Sequence, residues 1–152
     1  MIICGFPGVG KTVAGNKSRN VIDVESTRFH WLDGDPLSNS ENANWVNDYV
    51  DYIEKINNEN SSKYILVSCH KSVREELLKR GLFFVIVVPY REILNEYIKR
   101  YIKRGDNYDF IKKISDNWYK WLTEIDEMRA LFNGAPVVYL DTHEYISDCL
   151  SM

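Results

Sequence analysis

The sequence is poor in the residues that would take it out of the ordinary globular class. Its 152 residues include 3 cysteines, 4 prolines and 8 glycines. Cys4, Cys69 and Cys149 are far apart and odd in number, which excludes a disulfide framework, and no CxxC or Cys/His cluster marks a zinc site. So little glycine and proline excludes fibrous and linker-rich chains. The longest apolar run, Leu82 to Pro89, is far short of the roughly 20 residues a membrane helix needs. Met1-Ile2-Ile3-Cys4 opens directly on a strand pattern, without the basic and apolar regions of a signal peptide. Positive charge is not in surplus either: 19 Lys+Arg against 22 Asp+Glu give a net charge of −3, which argues against non-specific duplex binding. These absences predict a cytoplasmic protein with no membrane partner.

What is present fits one folded domain over 1–152, with 45% hydrophobic and 27% charged residues. Short apolar runs, Met1–Cys4, Val21–Val24, Tyr64–Cys69, Phe83–Val88 and Val137–Leu140, read as strands, and four of them are rich in β-branched or aromatic residues and lack polar alternation, as strands covered on both faces do. Between and after them lie helical patterns near 10–18, 43–57, 71–80, 91–104, 108–132 and 143–150. In 43–57, Trp45, Tyr49, Val50, Ile53 and Ile56 form one stripe. In 108–132, Phe110, Ile114, Trp118, Trp121, Leu122 and Ile125 form another, and both read as core. Alternating strands and helices imply right-handed crossovers and an α/β three-layer sandwich with a five-stranded parallel sheet. In such sheets ligands lie beyond the carboxyl ends of the strands.

The first strand is followed at once by Gly5-Phe6-Pro7-Gly8-Val9-Gly10-Lys11-Thr12, which satisfies G-x-x-x-x-G-K-[ST]. A chance match anywhere in a chain of this composition has a probability of roughly 0.003, so the match is informative. Glycines permit positive φ and let backbone N–H groups face phosphate oxygens, and the following helix adds its positive end. Lys11 is placed to reach the β- and γ-phosphates and the Thr12 hydroxyl to ligate Mg²⁺. The expected cofactors are ATP and Mg²⁺.

The other strand ends supply candidate chemistry. Asp23 and Glu25 are two apart on the second strand and face the same way, where they can serve a metal, orient an acceptor or take its proton. Ser26 to Trp31 mixes one cation with three rings, and Arg28 and Trp31 are candidate substrate contacts, with His30 structural. The third strand ends Ser68-Cys69-His70-Lys71 without the terminal Asp of many P-loop ATPases, and Arg74 follows one helical turn later as a candidate for an anionic acceptor. Arg100 and Arg104 repeat in Tyr-Ile-Lys-Arg tetrads on one helix face, where two like charges call for an anion. Gly105-Asp106-Asn107 then breaks the helix, so 97–110 is expected to act as a short lid.

This order of motifs resembles the small P-loop kinases: nucleoside monophosphate, shikimate and gluconate kinases. It also resembles short adenylate or deoxynucleotide kinase-like proteins of bacteriophages and prophages. The resemblance implies that Gly5–Thr12 bind ATP, that Asp23 and Glu25 stand at a D-x-D position for magnesium and acceptor, and that Arg100 and Arg104 clamp the ATP phosphates. Ser68 to Leu77 is similar to the gluconate kinase stretch after the third strand. The chain departs from the D-G-x-P-R of adenylate kinases and the G-G-G of shikimate kinases. The expected activity is transfer of the γ-phosphoryl group to a small acceptor, a nucleoside monophosphate or deoxynucleotide. Phosphorylation of a polyol, sugar acid or modified nucleoside hydroxyl, and nucleotide binding by a non-catalytic regulator, are the alternatives.

Overall fold

A computed structural model describes residues 1–32, 40–131 and 134–151. Its centre is a five-stranded sheet of β1 (Ile2–Gly5), β2 (Val21–Val24), β3 (Tyr64–Ser68), β4 (Phe84–Pro89) and β5 (Val137–Leu140). All pairings are parallel and the order is β2-β3-β1-β4-β5. The three central strands, β1, β3 and β4, are covered on both faces, with Ile2, Cys4, Ile65, Leu66, Val67 and Ile86 fully buried; the edge strand β5 is not, and Val138 on it is exposed. Each large apolar side chain buried this way contributes about 1.5–3 kcal/mol.

The helices are α1 (Lys11–Lys17), α2 (Thr27–His30), α3 (Trp45–Glu59), α4 (Lys71–Lys79), α5 (Leu94–Lys103) and α6 (Tyr108–Arg129). The crossover from β1 to β2 runs along the sheet in the opposite direction to the later ones. Right-handed connections therefore put α1 on one face and α3, α4 and α6 on the other, giving three layers. None of the described helices is long and apolar enough to cross a membrane.

Two expectations about helices are corrected. The segment 143–150 holds only a 3₁₀ turn, Ile146–Cys149, and 91–104 begins with another, Arg91–Ile93, before α5 starts. In the first case carboxylates capture local amides: Glu144 accepts from Asp141 N at 2.8 Å and Asp148 from Tyr145 N at 2.7 Å. Such side-chain bonds compete with helical ones. Residues 27–30 form the single turn α2.

One buried tyrosine shapes the open end of the sheet. Tyr49, on α3, donates its hydroxyl to Val24 O and accepts from Ser68 N at 3.1 Å. It thus ties together the last residues of β2 and β3, just where Glu25 and Cys69 leave the sheet. Burial pushes its hydroxyl pKa well above the usual phenol value.

Candidate active site

The loop between β1 and α1 is held from behind. Three successive carbonyls accept bonds from outside it: Pro7 O from the Tyr101 hydroxyl at 2.7 Å, Gly8 O from Arg100 Nη1 at 3.0 Å, and Val9 O from Ile146 N at 2.8 Å. In a trans peptide the carbonyl and the following N–H point in opposite directions. Fixing these oxygens outward therefore turns the amides of Gly8 and Gly10 toward the inside of the loop. Gly8 and Gly10 have φ of 92° and 96°, the left-handed region. A Cβ on Gly8 would lie 2.9 Å from the Tyr101 ring, and one on Gly10 would lie 3.1 Å from Tyr145. Glycine is required at both positions by backbone conformation and by close packing.

Lys11 folds back across the loop and donates to Gly5 O at 2.9 Å. Gly5 admits it, since a Cβ there would stand 2.9 Å from Lys11 Cδ. Burial lowers the Lys11 pKa, and the nearby Asp23 and Glu25 oppose that shift. Asp23 and Glu25 do share a side, as their spacing predicts. Gly15 lets α1 approach β2 so closely that a Cβ would meet Asp23 Cβ at 2.9 Å, and this sets Asp23 beside Thr12 one turn earlier on α1. Asp23 is half-buried and its Oδ1 has no hydrogen-bond partner. Burial first, then Glu25, raises its pKa against the pull of Lys11.

Among the described residues no cluster of three or more His, Cys, Asp or Glu could hold a metal ion alone. A magnesium ion in a phosphate site takes one or two protein ligands and completes its shell with water and phosphate oxygens. Thr12 and Glu25 line the cavity, while Asp23 sits beside Thr12 without lining it; the Thr12 hydroxyl, the unpartnered Asp23 oxygen and Glu25 together match that sparse donor set.

Loop, strand ends and helices enclose one cavity of about 1010 Å³. Gly5, Phe6, Pro7, Gly8, Gly10, Lys11, Thr12 and Glu25 line it, and so do Arg74, Arg100 and Arg104. Seven lysine and arginine side chains reach it against two acids, Glu25 and Glu124, although the whole chain is net negative. Such focused positive charge suits a polyanion. Arg74 is 2% exposed; its Nε donates to Cys69 O at 3.2 Å and its Nη1 lies 3.6 Å from Met128 Sδ. No carboxylate pairs with it among the described residues. A buried guanidinium without a counter-charge is costly unless a ligand anion answers it.

The structure corrects three site expectations. Arg28 does not reach the cavity; its guanidinium lies 4.5 Å from the Tyr52 ring centroid and 4.8 Å from that of Phe29. Trp31 also stands outside, stacked on His30 at 4.9 Å and bridged to Glu41. Arg100 is near the loop yet is no free clamp. Besides Gly8 O it bonds Thr142 O at 2.9 Å and Glu144 O at 3.0 Å. The rings of Tyr97 and Tyr145 cover it at 4.4 and 4.0 Å. Tyr97 and Tyr101 are fully buried, so in this structure residues 97–101 pack behind the loop. Arg104 keeps a place at the cavity mouth, paired with Asp106.

Arg100→Ala is therefore expected to weaken ATP binding about tenfold, or ~1.4 kcal/mol, while kcat at saturating ATP changes less than about threefold. Fluorescent-nucleotide titration beside steady-state kinetics checks this. A tenfold loss of kcat at unchanged affinity would restore the clamp assignment.

The sequence reading passed over Lys103, Lys113, Trp121, Glu124 and Tyr145, all of which line the cavity. Trp121 carried a faint signal, since with Trp118 and Leu122 it makes the α6 stripe wider than a single packed face requires.

Strand order, parallel pairing and the phosphate-type loop after β1 define a P-loop α/β fold of the small-kinase kind. A tunicamycin resistance protein from Deinococcus radiodurans shares this fold, with a TM-score of 0.56 and 17% identity over 95% of this chain and 87% of that one. A gluconokinase from Sinorhizobium meliloti aligns at a TM-score of 0.45 and 17% identity, over 97% of this chain and 84% of its own. An uncharacterized protein from Eubacterium ventriosum aligns at 0.44 and 11% identity, over 97% and 92%. No protein-family model matches the chain, and no curated protein matches it in sequence.

Proposed function

We propose that the chain is an ATP- and Mg²⁺-dependent phosphotransferase whose acceptor is a small anion, foremost a nucleoside monophosphate or deoxynucleotide. The carrying observation is Arg74: a buried cation, unpaired among the described residues, in the same cavity as the phosphate loop. A protein that only sensed nucleotide through the loop would have no use for it, and a neutral polyol would leave it unanswered.

The roles follow from placement. The inward amides of Gly8 and Gly10 and the ammonium of Lys11 take up charge that develops on the transferring phosphoryl group. Thr12 and Asp23 would hold Mg²⁺, which when bound neutralises phosphate charge. A monophosphate dianion attacks without losing a proton, so Asp23 and Glu25 need only orient it. A hydroxyl acceptor would need one of them as base, and the raised pKa of Asp23 suits it for that. Arg104 would leave Asp106 for the ATP phosphates as the 104–107 turn closes. Three unpaired thiols are consistent with a cytoplasmic setting.

The test is a panel of nucleoside monophosphates, gluconate and nucleosides incubated with [γ-³²P]ATP and Mg²⁺, resolved by thin-layer chromatography. Label on a monophosphate is expected. Label only on gluconate would keep an anionic acceptor and overturn the nucleotide assignment, and label only on a nucleoside, or only in inorganic phosphate, would overturn the reading.

A further inference from the structure

Glu124 is out of character with its surroundings. It lies on α6, half-buried, and lines a cavity otherwise dominated by cations. Yet it makes no ion pair or hydrogen bond among the described residues, and none of the seven cations comes within 4.0 Å of it. An ionised carboxylate has only acceptor sites, so a ligand that satisfies it must bring hydrogen donors. Its apolar neighbours on the cavity wall are Trp121, half-buried one turn before it, and Ile125, which follows directly on α6; Phe110 and Lys113 line the cavity farther along the helix, toward its N-terminus. Trp121 is braced edge-on to Phe6 of the loop, with centroids 6.5 Å apart. Arg74 touches Met128, one turn beyond Glu124 on the same helix. One wall thus offers an aromatic surface, an acceptor-only group and, a turn away, an unpaired cation.

We propose that this α6 wall is the subsite for the acceptor's ring, and that it selects a base with an exocyclic amine. The inference rests on the acceptor being a nucleoside monophosphate, and it names which ones. Trp121 covers the face of the base, Glu124 accepts from its amino group, and Arg74 holds the anion of the same molecule. Cytosine and adenine each present an amino donor, and guanine presents an amino group beside a ring N–H, which a carboxylate takes with both oxygens. Uracil and thymine offer one N–H flanked by two carbonyl oxygens, which a carboxylate repels. A site that leaves a buried polar group unanswered rejects the wrong ligand strongly.

The experiment measures both binding and turnover with the full chain. Isothermal titration with AMP, CMP, GMP and UMP is run beside ATP-dependent phosphorylation of each, on the native protein and on Glu124→Gln. The native protein is expected to bind at least one amino-bearing monophosphate at least about tenfold more tightly than UMP, with the same order in kcat/KM. Glu124→Gln, which can donate as well as accept, should shrink that gap to threefold or less by improving UMP. Equal binding of UMP, no detectable binding of any monophosphate, or an unchanged gap in Glu124→Gln would each overturn the subsite. Selective binding without turnover would sustain the subsite and defeat the phosphotransferase reading, so the two failures are told apart.

Discussion

Lys11→Ala should abolish phosphoryl transfer while leaving the fold in place, with kcat down at least about 100-fold, or ~2.7 kcal/mol of transition-state stabilisation. The size follows from position. Lys11 lies across the loop against Gly5 O, buried in the cavity wall, where a point charge acts through a lower dielectric than in water. The fold tolerates the change because burial already lowers the Lys11 pKa. A lysine whose folded pKa lies below its unfolded one adds stability only above the unfolded pKa, and that contribution is lost as pH falls through the folded value. At neutral pH the ammonium is thus held against a preference of the empty protein, and its removal should leave Tm unchanged or slightly raised. The same shift gives a kinetic signature. kcat/KM, which reports the free protein, should fall on the alkaline side at lower pH than kcat, because bound phosphate restores the ammonium. Pre-steady-state transfer and a pH series from 6 to 10 check both. Retention of more than about a tenth of native kcat would remove Lys11 from the transition state.

What the sequence disclosed and what it hid divide along a physical line. The phosphate loop is contiguous from Gly5 to Thr12, and its chemistry needs only local residue types. The Asp23–Glu25 side was legible for the same reason: a strand repeats every two residues, and both belong to one strand end. Arg28 and Trp31 fall outside the cavity because a single helical turn, α2, follows the second strand, and four residues are too few to show a helical period. Arg100 was misjudged because its partners, Gly8 and residues 142–144, are 42 to 92 positions away. A helix face with two arginines looks the same whether the guanidinium meets phosphate or backbone. Trp121 and Glu124 were hidden by the very success of the α6 stripe. Periodicity says which side of a helix turns inward, but not that one stretch of that side borders the cavity while Trp118 and Leu122 meet packed core.

Asp23→Asn should separate activity from stability most sharply. The carboxylate is half-buried, one of its oxygens has no partner, and burial together with Glu25 raises its pKa despite Lys11. A carboxyl whose folded pKa exceeds its unfolded value adds stability only below the unfolded pKa, and this is lost as pH rises through the folded value. At neutral pH the ionised group is therefore a net burden on the empty protein. Asparagine keeps the shape and drops the charge, so the nucleotide-free variant should be at least as stable as the native protein at neutral pH, with Tm unchanged or raised. Transfer should suffer at the same time. With the charge gone, Thr12 is left beside a neutral amide, a poor partner for magnesium, and kcat should fall at least about 100-fold while ATP alone, without the metal, binds as well or better. Any stability gain should also shrink as pH is lowered toward 4, since the native carboxyl is then protonated as well. Differential scanning calorimetry at pH 4 and 7, beside kinetics over a magnesium series, reads all of this. A variant that melts lower than the native protein at neutral pH and still turns over normally would show Asp23 to be an ordinary polar strand end.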